Sequence, residues 1–223
     1  MTHIGNDVVD LRHPRCRGKS RDRRFVERVF TFEEAVVIYD AAEPDRAVWT
    51  AWAAKEAAFK VVSKLMGDPP PFRHSAFHYS PKRRVTYQGT EIPVRIEERP
   101  DRVHVLAWHP RSNDPPPIHS EVKFLPELEH EHDSEWEKGL QSRFSEREWR
   151  SVHRPDSALV RLNARSHLAR VLGVDETAVE IVCNEGPPGQ MPPRVLLEGG
   201  EWPGDLSLSH HGRFLAWAFR VPE

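Results

Sequence analysis

Two acids and a lysine raise the first chemical question. Asp7 sits in Ile4-Gly-Asn-Asp-Val-Val-Asp10, a run rich in β-branched residues that predicts a short strand. Glu56 and Lys60 belong to Trp52-Ala-Ala-Lys-Glu-Ala-Ala-Phe-Lys60 and stand four residues apart, so both project from one helical face. A strand acid and a helix acid that meet across their interface offer hard oxygens to a cation. Magnesium commonly takes one or two carboxylates and completes its shell with water and substrate phosphates, so this pairing suits a diphosphate substrate. The same Glu–Lys spacing also makes an ordinary surface salt bridge worth about 0.3–0.5 kcal/mol. Taken alone, the helix decides nothing.

A second cluster, Leu206-Ser-Leu-Ser-His-His-Gly212, places Ser209 beside His210. A hydroxyl, an imidazole and backbone N–H groups at a strand end can bind a phosphate. The competing reading is a Ser–His hydrolase. Against it, the Gly-x-Ser-x-Gly elbow is absent, and neighbouring residues of a strand point to opposite faces.

The elements that must position these groups follow from local signals. Residues 4–11 predict a strand and Arg12–Arg24 a basic loop. Thr31-Phe-Glu-Glu34 opens a helix toward Tyr39, and Trp49–Leu65 forms the strongest helix, stopped at Gly67. Strands are expected at Ala76–Tyr79, Arg84–Tyr87, Ile92–Ile96 and Val103–Trp108. Asn113–Pro117 resembles a linker, because consecutive prolines favour an extended chain. Beyond it a strand is expected near Glu121–Phe124 and helices over Glu135–Val152 and Asp156–Leu172. A strand at Val179–Cys183, a Gly/Pro-rich loop over Glu185–Arg194, and paired strands at Leu206–Leu208 and Arg213–Phe219 complete the order. Strands and helices mix without regular βαβ alternation, so the expected class is α+β. The expected division is 1–112, a connection at 113–117, and 118–223.

Composition narrows the partners. The chain has 223 residues, 38% hydrophobic and 30% charged, with a net charge of −2 that predicts no global attraction to nucleic acid or an anionic membrane. No run approaches the ~20 apolar residues that cross a bilayer, and no signal-peptide pattern opens the sequence. Two cysteines, Cys16 and Cys183, are too few for a disulfide framework, and thirteen histidines occur without an HExxH or CxxC pattern. A cytoplasmic protein with reduced thiols is the simplest expectation.

The series Ile4-Gly-Asn-Asp7, Thr31-Phe-Glu-Glu34, Trp52-Ala-Ala-Lys-Glu-Ala-Ala-Phe-Lys60 and Ser207-Leu-Ser-His210 resembles the discontinuous signature of the phosphopantetheinyl transferases. The resemblance implies an enzyme that moves 4'-phosphopantetheine from coenzyme A onto a serine of an acyl or peptidyl carrier protein. It implies magnesium held by Asp7 and Glu56, phosphate charge neutralised by Lys60, and nucleotide phosphates contacted by Ser209 and His210. Glu56 is the implied acceptor of the serine proton. The length resembles the larger type, in which two similar halves form a pseudo-dimer with the site between them, so a monomer is expected. The order does not match: here the Gly-x-Asp half comes first and the Ser-His half last, which implies circular permutation with the connection at 113–117.

Two departures stand out. The larger type commonly carries an acid two residues after the aspartate, where this chain has Val9, and Asp10 should face away. The family's Gly-Lys-Pro loop is here Gly186-Pro-Pro-Gly-Gln-Met-Pro-Pro-Arg194, with Arg194 as the replacement charge and Arg147 or Arg154 as further phosphate contacts. These departures motivate the alternative of a catalytically inactive relative that binds carrier protein or coenzyme A. The cluster containing Arg12, Arg15, Arg21 and Arg24 is the expected dock for an acidic carrier. Nucleic-acid binding lacks aromatic interleaving, and a solvated loop is the plain alternative.

Overall fold

A computed structural model of the chain describes residues 2–67, 69–109, 117–125, 134–183, 185–186 and 189–222. The expected connection lies outside the described residues except for Pro117, as do Pro187 and Pro188 of the Gly/Pro loop. The first part runs β1 (Ile4–Asp10), α1 (Arg23–Val29), α2 (Phe32–Tyr39), α3 (Pro44–Met66), β2 (Phe77–Ser80), β3 (Arg84–Tyr87), β4 (Thr90–Arg99) and β5 (Arg102–Trp108). The rest runs β6 (His119–Phe124), α4 (Ser134–Gln141), α5 (Glu146–Trp149), α6 (Pro155–Leu172), β7 (Val179–Val182), β8 (Glu185–Gly186), β9 (Gly189–Gln190), β10 (Arg194–Leu197), β11 (Gly200–Glu201), β12 (Asp205–His211) and β13 (Phe214–Arg220). The class is α+β.

One antiparallel sheet has the order β1-β5-β4-β3-β2, and α3 lies across it. The helix buries an alanine- and valine-rich face, including Ala51, Ala54, Ala58 and Val61, against Val85, Ile92 and Val105. Small side chains let its axis come close. At Gly5 the approach is so tight that a Cβ would stand 2.0 Å from the Ala57 carbonyl oxygen. A second core joins Val160, Ala164 and Leu168 of α6 to Ile181, Leu215 and Trp217, under the sheets β12-β13-β6 and β11-β10-β7.

Several boundaries differ from expectation, three of them for a clear local reason. Helix α3 begins at Pro44 rather than Trp49, because proline suits the first turn and Val48 and Trp49 are buried. The helix expected over Glu135–Val152 is two: Ser145 caps α5 and its N3 residue Glu148 reciprocates, so a new helix starts there. The expected basic loop holds two 3-10 turns and the start of α1.

Strands β1 and β12 are the edges of their sheets and run side by side in parallel, joined by side chains instead of a backbone ladder. Backbone N–H groups of Ile4, Asn6, Val8 and Asp10 donate to Asp205 Oδ2 (2.6 Å), Ser207 Oγ (2.8 Å), Ser209 Oγ (3.1 Å) and His211 Nδ1 (3.0 Å). Two lysines of α3 close the same seam through its carbonyls. Lys64 Nζ donates to Ile4 O (2.7 Å), Leu206 O (2.7 Å) and Asp205 Oδ1 (2.8 Å). One turn back, Lys60 Nζ contacts Asn6 O (2.6 Å), Leu208 O (3.2 Å) and Asp7 Oδ1 (3.3 Å). The pattern stays in step because four helical residues advance about 6 Å and two strand residues about 6.6 Å. One turn further back the series ends, and the residue there is Glu56.

Candidate active site

At that end of the seam lies a cavity of about 610 Å³, walled by α3 on one side and by α6 and β12 on the other. Glu56, Phe59, Lys60, Phe72, Arg161 and His210 contribute to its lining. Asp7 does not line it but contacts the lining residue Lys60. Its Oδ1 accepts from Ser209 Oγ (2.8 Å) and faces Lys60, while among the described residues no hydrogen bond engages Oδ2. Burial raises the Asp7 carboxyl to about 6 against the pull of Lys60, and the neighbouring Glu56 charge adds to the rise. Glu56 has Oε1 3.3 Å from His74 Nε2, and the His74 ring packs at a tilt against Trp52 (3.9 Å between centroids) and Phe72 (4.1 Å). The tryptophan of the helix motif thus packs on the imidazole that lies beside Glu56.

Lysine 55 of the same motif has another task. It is fully buried, donating to Glu34 Oε2 (2.7 Å) and Val29 O (2.9 Å), and Glu34 is the N3 residue of the α2 capping box. Burial lowers the Lys55 pKa and Glu34 opposes that shift. Thr31-Phe-Glu-Glu34 and Lys55 together pin α2 onto α3.

On the opposite wall His210 Nδ1 lies 3.1 Å from Asp156 Oδ2, whose carboxyl burial pushes up but the imidazole holds below its usual range. Ser209 does not share that wall. It is buried and directed into the seam, on the other strand face from His210 as alternation requires. Arg154 pairs with Asp156 (2.9 Å), Arg147 with Glu180, and Arg194 approaches Glu201 (3.6 Å). None of these three is among the residues lining the cavity. Arg161, which the sequence reading missed, is: it is buried, and its hydrogen bonds go to Ser157, Ser151 O and Cys183 Sγ, with no carboxylate among them. Its place on α6, a turn and a half past Asp156, was the available signal.

Val9 is packed in the first core, and Asp10 points to the opposite face, held by Arg213 (2.7 and 2.8 Å). Neither Val9 nor Asp10 therefore adds a carboxylate beside Asp7 and Glu56. Asp7 has Oδ1 engaged by Ser209 and Lys60, Glu56 lies 3.3 Å from His74 without a hydrogen bond to it, and the charge of Glu56 acts on Asp7. That donor set fits a hard divalent cation that takes one oxygen from each carboxylate. His13, Cys16 and His211 also cluster within 4.8 Å. There, however, Nδ1 of each imidazole accepts a backbone N–H, from Arg15 and Asp10, which leaves the ring proton on Nε2. Burial pushes the Cys16 thiol up to about 12 and His211 down to about 4, so a protonated thiol packs beside a neutral His211 ring.

Residues 3–109, which carry Asp7, Glu56 and Lys60, match the family model of the 4'-phosphopantetheinyl transferase superfamily. This part of the chain is a domain of that superfamily. No curated protein matches the chain. Within the superfamily domain lie both acids and the lysine series, while His210 and Arg161 face them from residues beyond the match. Among the described residues no helix is long and apolar enough to cross a membrane. Arg12, Arg15, Arg21 and Arg24 are all exposed, on the turns and helix that follow β1.

Proposed function

We propose that the protein transfers 4'-phosphopantetheine from coenzyme A to a serine hydroxyl of an acyl or peptidyl carrier protein. The observation that carries this reading is one cavity lined by the carboxylate of Glu56, the cations Lys60 and Arg161 and the imidazole of His210, with Asp7 in contact with Lys60 and within electrostatic reach of Glu56. Asp7 and Glu56 would hold magnesium, which supplies charge neutralisation for the diphosphate. Arg161 and His210 bind phosphate oxygens, and Lys60 faces Asp7 Oδ1 while adding positive potential. Phe59 and Phe72, stacked at 4.3 Å, offer an apolar wall along which the pantetheine arm can lie. The serine oxygen bonds to the β-phosphorus as the bond to the bridging oxygen breaks, and adenosine 3',5'-bisphosphate leaves. Glu56 is positioned to take the serine proton.

The two-part organisation, 1–112 and 118–223 in permuted order, belongs to this proposal. Its support is that each core is built from one part of the chain and the cavity opens along their seam. The test is incubation with apo-carrier protein, coenzyme A and magnesium, reading the carrier's mass. Glu56→Gln should remove transfer, by at least about 100-fold, with little change in melting temperature. A wild-type protein that modifies no carrier while a known transferase does would overturn the reading. Docking on the exposed arginines predicts that Arg21→Glu with Arg24→Glu weakens carrier binding far more at 50 mM than at 500 mM salt. Equal loss at both ionic strengths would remove the electrostatic dock.

A further inference from the structure

The seam gives Ser209 a different place from its neighbour His210, and the place suggests a different task. Four side chains of β12 accept β1 backbone N–H groups, and three of them do no more than this toward the acids of the cavity. Ser209 alone also donates onward, to Asp7 Oδ1 at 2.8 Å. A hydroxyl has a single proton. Here that proton is directed to Asp7, one lone pair is taken by Val8 N–H at 3.1 Å, and only 6% of the residue is exposed. Nothing remains to donate to a phosphate.

The effect on Asp7 is directional. With Oδ1 engaged by Ser209 and faced by Lys60 Nζ, the carboxylate cannot rotate freely, and Oδ2 is the oxygen presented. Because Val8 N–H fixes the hydroxyl itself, the aim is set by the parallel register of β1 against β12, the same register that carries His210 to the cavity wall. Alignment of the seam and orientation of the acid are thereby one event.

We propose that Ser209 is a positioning residue for Asp7, orienting it for cation binding, and is not a ligand of the substrate phosphates. The proposal rests on the reading of Asp7 and Glu56 as the cation site. The experiment titrates full-length protein with Mn²⁺, following the free-ion electron paramagnetic resonance signal, and separately measures coenzyme A binding by calorimetry in EDTA.

Ser209→Ala should weaken Mn²⁺ binding about tenfold, the scale of one hydrogen bond to a charged group, while metal-free coenzyme A affinity changes less than about twofold. Ser207→Ala removes a matched seam bond without touching Asp7, and should lose comparable stability but keep its Mn²⁺ affinity. His210→Gln should do the reverse of Ser209→Ala, weakening metal-free coenzyme A binding. Ser209→Cys, similar in size but a weak donor, carries the test should the alanine variant not fold, with an intermediate loss expected.

Loss of metal-free coenzyme A binding in Ser209→Ala with Mn²⁺ affinity intact overturns the proposal, and so does no change in either quantity. A wild-type protein that binds no Mn²⁺ removes the cation site itself and the proposal with it. A wild type that binds Mn²⁺ beside an unaltered Ser209→Ala removes the proposal alone.

Discussion

The buried imidazole of His104 shows how much a single side chain can set for this molecule. It lies on β5 beside β1, 4% exposed, with Nε2 lacking a hydrogen-bond partner. Burial pushes its pKa down to about 4, with neighbouring Glu97 only partly opposing. An unfolded histidine titrates near 6.5, so the folded state binds fewer protons and stability must fall as pH drops from 6.5 toward 4. The full linkage is roughly 3 kcal/mol, of which about 2 kcal/mol is gone by pH 5. His104→Leu should remove that portion of acid sensitivity, read as the difference between urea unfolding at pH 7.5 and pH 5. An unchanged difference would show that His104 protonates without penalty. Nothing local in Arg102-Val-His-Val marks this residue as buried and neutral, since strand alternation alone leaves its facing open. Asp7, Glu56, Lys60 and His210 were legible from spacing and resemblance, whereas the task of Ser209 depends on a partner strand 201 positions away.

Among the elements, α3 carries most of the work, and its sequence encodes three separate faces. Alanines and valines meet the sheet, Glu56 and Lys60 with Lys64 meet the seam, and Lys55 meets α2. The Lys55–Glu34 pair is almost wholly buried, with side chains 0% and 5% exposed. Glu34 also accepts the backbone N–H of Thr31 (2.8 Å) and Tyr79 (2.5 Å), so it joins α2, α3 and β2. Removing one member of such a pair strands a charge, at a cost of about 3–5 kcal/mol. Lys55→Met should therefore lower stability by about that amount in urea unfolding, and a loss below about 1 kcal/mol would assign the pair to specificity instead. The helix and its Gly67 stop could be read from composition, and the capping box from Thr-x-x-Glu. That the box acid also receives Lys55 could not, because the contact spans 21 residues and depends on how α2 packs.

At the scale of the whole molecule, the outer ends of the first and last strands meet at one residue. Ile4 N–H donates to Asp205 Oδ2 at 2.6 Å, and Asp205 is the register partner of Arg220 in β13. β1 runs parallel to β12 and β13 antiparallel to it, so β1 begins where β13 ends. Burial pushes the Asp205 carboxyl up, but Lys64 and His3 hold it below its usual range, which anchors the junction as an ion pair. Strand partners stand about 5 Å apart and a carboxylate reaches about 3–4 Å, so β13 and β1 can be bridged by about four to six residues. That separation is short enough for a direct connection from β13 to β1. A rearranged chain, with residues 117–222 placed before residues 2–109 and joined through a short Gly/Ser linker, should keep every contact between β1 and β12. It should melt cooperatively within about 5 °C of the original, because exchanging one short connection for another changes closure entropy by well under 1 kcal/mol. It should also retain carrier modification if the proposed function holds. Two separate melting transitions, or a folded chain that has lost Mn²⁺ binding, would mean that the native connection does more than tether, and that the seam alone does not assemble the acids.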